Sequence, residues 1–180
     1  DHKDSFTHNV VHKFSLFDKV FCYDISDINK SKLNAASTIV FSPGPGSPKD
    51  YPLSSKIYKQ FKGKKKIIGI CLGFQQILFS EGAKIIEQKK IYHGFQSEVI
   101  VNNSSKLFNK GKKFKVGRYH SLKLKEPFYV KNFKITMRCA ISKVAMSFEN
   151  NIDNVYGFQF HPESFLTIDG SLLIKKVLSA

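Results

Sequence analysis

The chain has 180 residues, 42% of them hydrophobic, and a formal net charge of +15. That size and apolar content fit one globular domain with a sizeable core, and no apolar run is long enough for a membrane-spanning helix. The charge invites a nucleic-acid reading, but only Arg118 and Arg138 carry the guanidinium fork, and the lysine clusters at 62–66 and 110–115 form no aromatic stacking platform, so nucleic acid is not the expected partner.

Taken in chain order, "DSFTHNVVHKF" (4–14) predicts a helix capped by Asp4 or Ser5, with Phe6, Val10 and Phe14 on one face. "KVFCYD" (19–24) predicts a strand, and the polar stretch 26–36 a short helix or turn. "STIVFS" (37–42) predicts a strand that "PGPGSP" (43–48) ends abruptly. A helix over 53–62, a strand "KKIIGI" (65–70) and a helix "FQQILFSEGA" (74–83) stopped at Gly82 follow. Such alternation predicts a parallel α/β sheet. The second half changes character: "SEVIVNN", "KFKVGRY", "FKITMRCAI", "KVAMSFEN" and "VYGFQFH" are closely spaced strand candidates. "DGSLLIKKVL" (169–178) predicts a closing helix capped at Asp169. The expected fold class is an α/β three-layer sandwich, with a central, mostly parallel sheet and a smaller antiparallel extension, in one domain over 1–180.

Cys22, Cys71 and Cys139 are odd in number and scattered, which predicts reduced thiols and a cytoplasmic setting. The opening "DHKDSFTHNV" has no secretory-leader pattern. Cys22 and Cys139 lie in strand-like runs and are expected as packed core residues. No spacing of His and Cys suggests a metal site.

Cys71 differs from both. Gly69 and Gly73 flank it at i−2 and i+2, across a strand-to-helix turn. This is the nucleophile-elbow pattern with sulfur in place of oxygen. Small flanking residues permit the sharp turn, and the helix N-terminus behind the sulfur favours a thiolate. The bland alternative is a buried cysteine between two packing glycines.

A cysteine nucleophile needs a base, and the base an orienting group. His161 follows the apolar strand "VYGFQF" and opens "HPES"; Glu163 is two residues on. With Pro162 holding the backbone extended, both side chains can point the same way. His120, in "GRYHSL", is the rival base. "SPGPGSP" ends a strand at the carboxyl edge of the sheet, where open α/β folds bind ligands. Its Gly46 N–H, with that of Leu72, can form an oxyanion hole. Read singly, the run is a Pro/Gly turn.

Together these segments resemble the class I, triad-type glutamine amidotransferases, and most closely the glutaminase components of the anthranilate and aminodeoxychorismate synthases. "DSFTHN" (4–9), "FSPGPGSP" (41–48), "GICLGFQQ" (69–76), "GRYHSL" (117–122) and "YGFQFHPESFLT" (156–167) match in order and spacing along the whole chain. The resemblance implies a flavodoxin-like core. It implies Cys71 as nucleophile, His161 as proton shuttle and Glu163 as its orienting carboxylate. Gly44, Pro45 and Gly46 would line the glutamine site, with Gly46 and Leu72 N–H groups as oxyanion donors. Gln75 and the backbone of Ser121 and Leu122 would hold the substrate's amino-acid end, and His120 becomes a structural or gating residue.

The implied activity is hydrolysis of L-glutamine to supply ammonia to a chorismate-using synthase, as a separate subunit or fused domain. No cofactor is implied in this chain; the partner synthase would use Mg2+. Leu72 stands where GMP synthetases would carry tyrosine, and the turn at 42–46 lacks the asparagine of carbamoyl-phosphate synthetase small subunits. Family members usually begin with an apolar strand before the loop that opens here at Asp1, so that strand is expected to be missing. The sequence leaves the partner's product open between anthranilate and aminodeoxychorismate. It also leaves room for a stand-alone glutaminase or γ-glutamyl hydrolase.

Overall fold

The computed structural model describes all of residues 1–180. The elements, in chain order, are α1 (Thr7–Ser15), α2 (Lys30–Ala35), β1 (Thr38–Phe41), α3 (Pro52–Phe61), β2 (Lys66–Ile70) and α4 (Leu72–Ser80). Then come β3 (Ile85–Glu87), β4 (Phe95–Val101), β5 (Lys113–Arg118), β6 (Leu122–Leu124), β7 (Lys134–Cys139), β8 (Ala145–Asn150), β9 (Val155–Phe158) and α5 (Gly170–Leu178). Seven strands form one sheet in the order β1-β2-β9-β8-β7-β4-β5. β1, β2 and β9 run parallel, and the remaining neighbours pair antiparallel. β3 and β6 make a separate two-stranded antiparallel sheet.

The sheet is covered on both sides, which is the expected three-layer α/β arrangement. Strand periodicity divides the core: Ile68, Ile70, Tyr156 and Phe158 pack with α1 and α5, whose Val10, Phe14, Leu173 and Val177 they meet. Ile67 and Val155 point the other way, to Ile57 and Phe61 of α3 and Phe74, Ile77 and Leu78 of α4. Buried on both faces, β2 reads as a continuous apolar run instead of an alternating one.

Most predicted elements appear within a few residues of their expected bounds, and five readings need correction; one is Asp169, which stands at the N-cap of α5 but makes no side-chain capping hydrogen bond. The expected strand at 19–24 is irregular chain. It finds no ladder because the strand beside it, β1, lies across an apolar groove of about 620 Å³, lined among others by Val10, Phe14, Val20, Ile25 and Val40. β1 is therefore an edge strand whose outward backbone groups meet no backbone partner. Cys22, expected in the core, is exposed on this irregular segment, whereas Cys139 is buried as expected. Helix α1 begins at Thr7, with Asp4 forming a turn before it: its carboxylate accepts the Phe6 N–H at 2.8 Å and caps nothing. Helix α4 begins at Leu72, two residues before its expected start, so Cys71 is the residue on which strand becomes helix. Gly82, with φ +89°, follows α4 and ends it as predicted.

Candidate active site

Cys71 is built by the elbow that its neighbours force. Its backbone sits at φ 52°, ψ −101°, a region that non-glycine residues avoid. The surroundings over-determine it. The Cys71 N–H donates to the Phe158 carbonyl at 2.8 Å, continuing the β2–β9 pairing one step past β2. A Cβ on Gly69 would lie 2.5 Å from the Gly73 backbone, and one on Gly73 would collide with the Phe41 carbonyl. Both glycines are thus required for α4 to sit against β1 and β2. The thiol is nearly buried, at 7% exposure.

His161 comes from the chain just beyond β9. Its N–H donates to the Gly117 carbonyl at 3.0 Å, which ties it to the end of β5. Its Nδ1 lies 2.6 Å from Glu163 Oε1, and both residues are buried. The sequence expects Pro162 to hold this pair extended; instead the Ser164 N–H donates to the His161 carbonyl at 3.2 Å and closes a turn. Proline at the second position of a turn is favoured for its fixed φ. The rings of Phe6 and Tyr119 pack edge-on against the imidazole, with centroids at 5.2 and 4.9 Å. Its Nε2 has no hydrogen-bond partner. Burial alone would lower the His161 pKa, but the Cys71 sulfur and the Glu163 carboxylate together raise it well above the ordinary value.

His120, the rival base, is fully committed elsewhere. Its Nδ1 donates to the Leu122 carbonyl at 2.8 Å, and its Nε2 accepts from Arg118 Nε at 3.0 Å. Burial and the Arg118 charge push its pKa down to about 3, so it stays neutral. Arg118 is itself completely buried, and its guanidinium stacks 3.5 Å from the centre of the Tyr92 ring.

The remaining predicted residues surround the same edge. A Cβ on Gly44 would lie 2.6 Å from Leu72 Cδ2, so the turn after β1 touches the residue that follows Cys71. Pro45 and Gly46 are exposed, and the Gly46 N–H makes no hydrogen bond. Leu72 is the first residue of α4, where an N–H has no intrahelical acceptor. Gln75 is buried and donates from Nε2 to the Leu122 carbonyl at 3.3 Å and to Gln159 Oε1 at 3.0 Å. The Ser121 carbonyl accepts the Gln88 N–H at 2.9 Å. The carbonyls of Ser121 and Leu122 are therefore already engaged. No three His, Cys, Asp or Glu side chains converge to hold a metal ion.

Sequence reasoning misses three contributors. His2 anchors the Pro/Gly turn: its backbone N–H donates to Ser42 Oγ at 2.8 Å, and its ring bonds the Ser42 carbonyl and Ser54 Oγ. Nothing in the sequence marks it. Arg118 counts there only as one of two arginines. Gln159 lies beside the thiol, with Nε2 3.8 Å from Cys71 Sγ. Its signal is available: it stands two residues before His161, where an extended chain places side chains on the same side.

Fold and geometry together define an α/β protein with a strained cysteine, a carboxylate-held histidine and free backbone donors gathered at one end of parallel strands. The family model for glutamine amidotransferase class-I matches residues 1–180, and the chain belongs to that family. It is 36% identical over 181 residues to anthranilate synthase component 2 of Lactococcus lactis, covering 99% of this chain and 91% of that protein. It is 33% identical over 184 residues to the bifunctional protein TrpGD of Thermotoga maritima, covering 99% of this chain and 31% of that longer protein. In structure it is similar to a Thermoplasma acidophilum protein assigned to GMP synthase, with a TM-score of 0.83 and 21% identity. That superposition covers 99% of this chain and 89% of the other, and shows the shared fold.

Proposed function

We propose that this enzyme hydrolyses the side-chain amide of L-glutamine at Cys71 and supplies the ammonia to a chorismate-using synthase that makes anthranilate. The observation that carries the chemistry is His161, bound at Nδ1 to Glu163 with its Nε2 unoccupied, beside a cysteine held on a strained elbow. The names of the relatives, anthranilate synthase component 2 and TrpGD, support the choice of anthranilate over aminodeoxychorismate and admit either a separate chain or a fused domain.

In the first half-reaction His161 Nε2 takes the thiol proton, and sulfur attacks the amide carbon. The carbonyl oxygen becomes an oxyanion, which the Gly46 and Leu72 N–H groups would stabilise. The C–N bond breaks as the imidazolium protonates the nitrogen, and ammonia leaves. In the second half His161 deprotonates a water that attacks the thioester, the C–S bond breaks, and the proton returns to sulfur. Glu163 keeps the ring in the tautomer with a proton at Nδ1 and stabilises its charged form. Gln75 and the loop at Ser121 and Leu122 would hold the amino-acid end of glutamine. Any Mg2+ requirement belongs to the synthase.

The test is glutamate release from glutamine, with and without the host's chorismate-using synthase and chorismate. A large rise with the partner, and anthranilate as product, are expected. Aminodeoxychorismate as product would reassign the pathway. Brisk turnover indifferent to the partner would indicate a stand-alone glutaminase or γ-glutamyl hydrolase.

A further inference from the structure

Gln159 is completely buried, and the mechanism above gives it no task. The orientation of its amide follows from its neighbours. A backbone carbonyl only accepts, so Leu122 O fixes Gln75 with its Nε2 turned toward it, at 3.3 Å. The same nitrogen donates to Gln159 Oε1 at 3.0 Å. Gln159 Oε1 is thereby committed to Gln75, and its Nε2 faces Cys71 Sγ at 3.8 Å. The far end is fixed in the same way. Arg118 donates to His120 Nε2, so the proton of the neutral ring is at Nδ1, and that proton also goes to Leu122 O. Two sets of donors thus meet at the Leu122 carbonyl, which accepts from His120, itself held by Arg118, and from Gln75; Gln75 in turn donates to Gln159, which donates to the sulfur.

We propose that Gln159 is a second, permanent hydrogen-bond donor to Cys71 Sγ, one that steadies the thiolate while His161 carries the proton. A neutral thiol is a weak acceptor and an anionic sulfur a strong one, so the contact gains strength only as the charge forms. His161 must give its Nε2 proton to the leaving nitrogen. Gln159 exchanges no proton in either half-reaction, so its N–H is present at every stage. When the thioester forms, the sulfur is neutral and the contact is weak; when the thioester is cleaved, the charge returns and the donor is already in place. Gln75 and Leu122 act on the sulfur only through Gln159, as positioning groups. Leu122 belongs to the loop assigned to the substrate's amino-acid end, so substrate seating and thiolate stabilisation share one carbonyl.

This inference rests on Cys71 being the nucleophile, and its test does not need turnover. The rate at which iodoacetamide alkylates Cys71 is followed by mass spectrometry of the Cys71 peptide across a pH series, on the full chain. Gln159→Met keeps the bulk and removes the donor. It is expected to slow Cys71 alkylation near neutral pH about tenfold and to move the profile to higher pH, as loss of one hydrogen bond to a charged group predicts. Gln75→Met, which releases Gln159 Oε1, moves it the same way by less. Cys22, exposed and distant from this chain of bonds, is the control in the same spectra and should not change. Should Gln159→Met fail to fold, Gln159→Glu keeps the shape, sets a carboxylate against the sulfur, and is expected to slow alkylation further. A Cys71 profile unchanged in a folded Gln159 variant overturns the proposal. In glutamine turnover the Gln159 variants should lower kcat and leave KM nearly unchanged; a purely structural role would raise KM with no shift in the alkylation profile. Wild-type protein without glutaminase activity would sink the amidotransferase chemistry and leave the alkylation result standing.

Discussion

The carbonyl oxygen of Phe41 occupies the space that a side chain at Gly73 would need. Helix α4 therefore lies directly on β1, and the contact sets where Cys71 is presented. Gly73→Ala should cost about 3 kcal/mol of stability, at the upper end of overpacking changes, because the colliding atom is backbone and cannot rotate away. Denaturant unfolding reads this directly. A loss within ordinary surface-mutation scatter would mean that α4 can lift from β1 without harm.

Removing the groups proposed to react separates chemistry from folding. Cys71→Ala and His161→Ala are each expected to reduce glutamate release to background, with native circular dichroism retained. Glu163→Gln leaves an oxygen to accept from His161 Nδ1 but removes the charge. It should lower kcat about a hundredfold or more and still leave measurable turnover, as orienting groups do. Full activity in Cys71→Ala would refute the thioester mechanism.

Three histidines give stability a defined pH dependence. Burial holds His2 at a pKa of about 4, and burial with the Arg118 charge holds His120 at about 3, against an ordinary value of 6.5. Between 6.5 and those values the unfolded chain binds protons that the native state refuses, so stability falls as pH falls, by up to ~1.4 kcal/mol per pH unit for each. His161 works in the opposite sense, since its pKa is raised. Its contribution is complete below the unfolded value and is lost as pH rises through the folded one. Stability should therefore peak near the ordinary histidine pKa and decline on both sides. Replacing His2 by Asn should flatten the acid limb; an unchanged slope would mean that His2 is not buried neutral.

Thiol accessibility separates Cys22 from Cys139. Cys22 is exposed, and Cys139 is buried at 3% exposure. Brief labelling of native protein should modify Cys22 and spare Cys139, and denaturant should expose Cys139. Early labelling of Cys139 would show that the β7 region opens readily.

Where pattern and local chemistry agree, the sequence is legible. The apolar run of β2, the glycine-flanked cysteine and the "HPES" turn single out Cys71, His161 and Glu163, which the structure gathers at one end of the parallel strands. The run at 19–24 misleads because strand propensity says only that a segment suits a sheet, not that a partner lies alongside. Cys22 is misplaced for the same reason. Asp4 misses the cap by two residues, since its carboxylate is spent on a turn of its own. Without the family resemblance His120 cannot be ranked against His161 from sequence, because what occupies it is three-dimensional: Arg118 on one ring nitrogen and the Leu122 carbonyl on the other. The Gln75–Gln159 link joins residues from α4 and from beyond β9, and no local pattern foretells such a contact.

The pairing of β2 with β9 has a consequence for how this protein tolerates change. Ile70 stands opposite Phe158, Cys71 bonds one step further on, and His161 follows three residues later. The spacing of sulfur and imidazole is thus inherited from the rigid middle of the molecule, with no surface loop between them to set it. Insertions in the lysine-rich segment 102–112 or beyond α2 leave that distance untouched. A single residue added between Lys66 and Cys71 would reverse which way each following side chain points and carry the thiol to the wrong side of the sheet. Variation among such proteins should accordingly accumulate around the two strands that aim Cys71 and His161, while the strands themselves keep a fixed count.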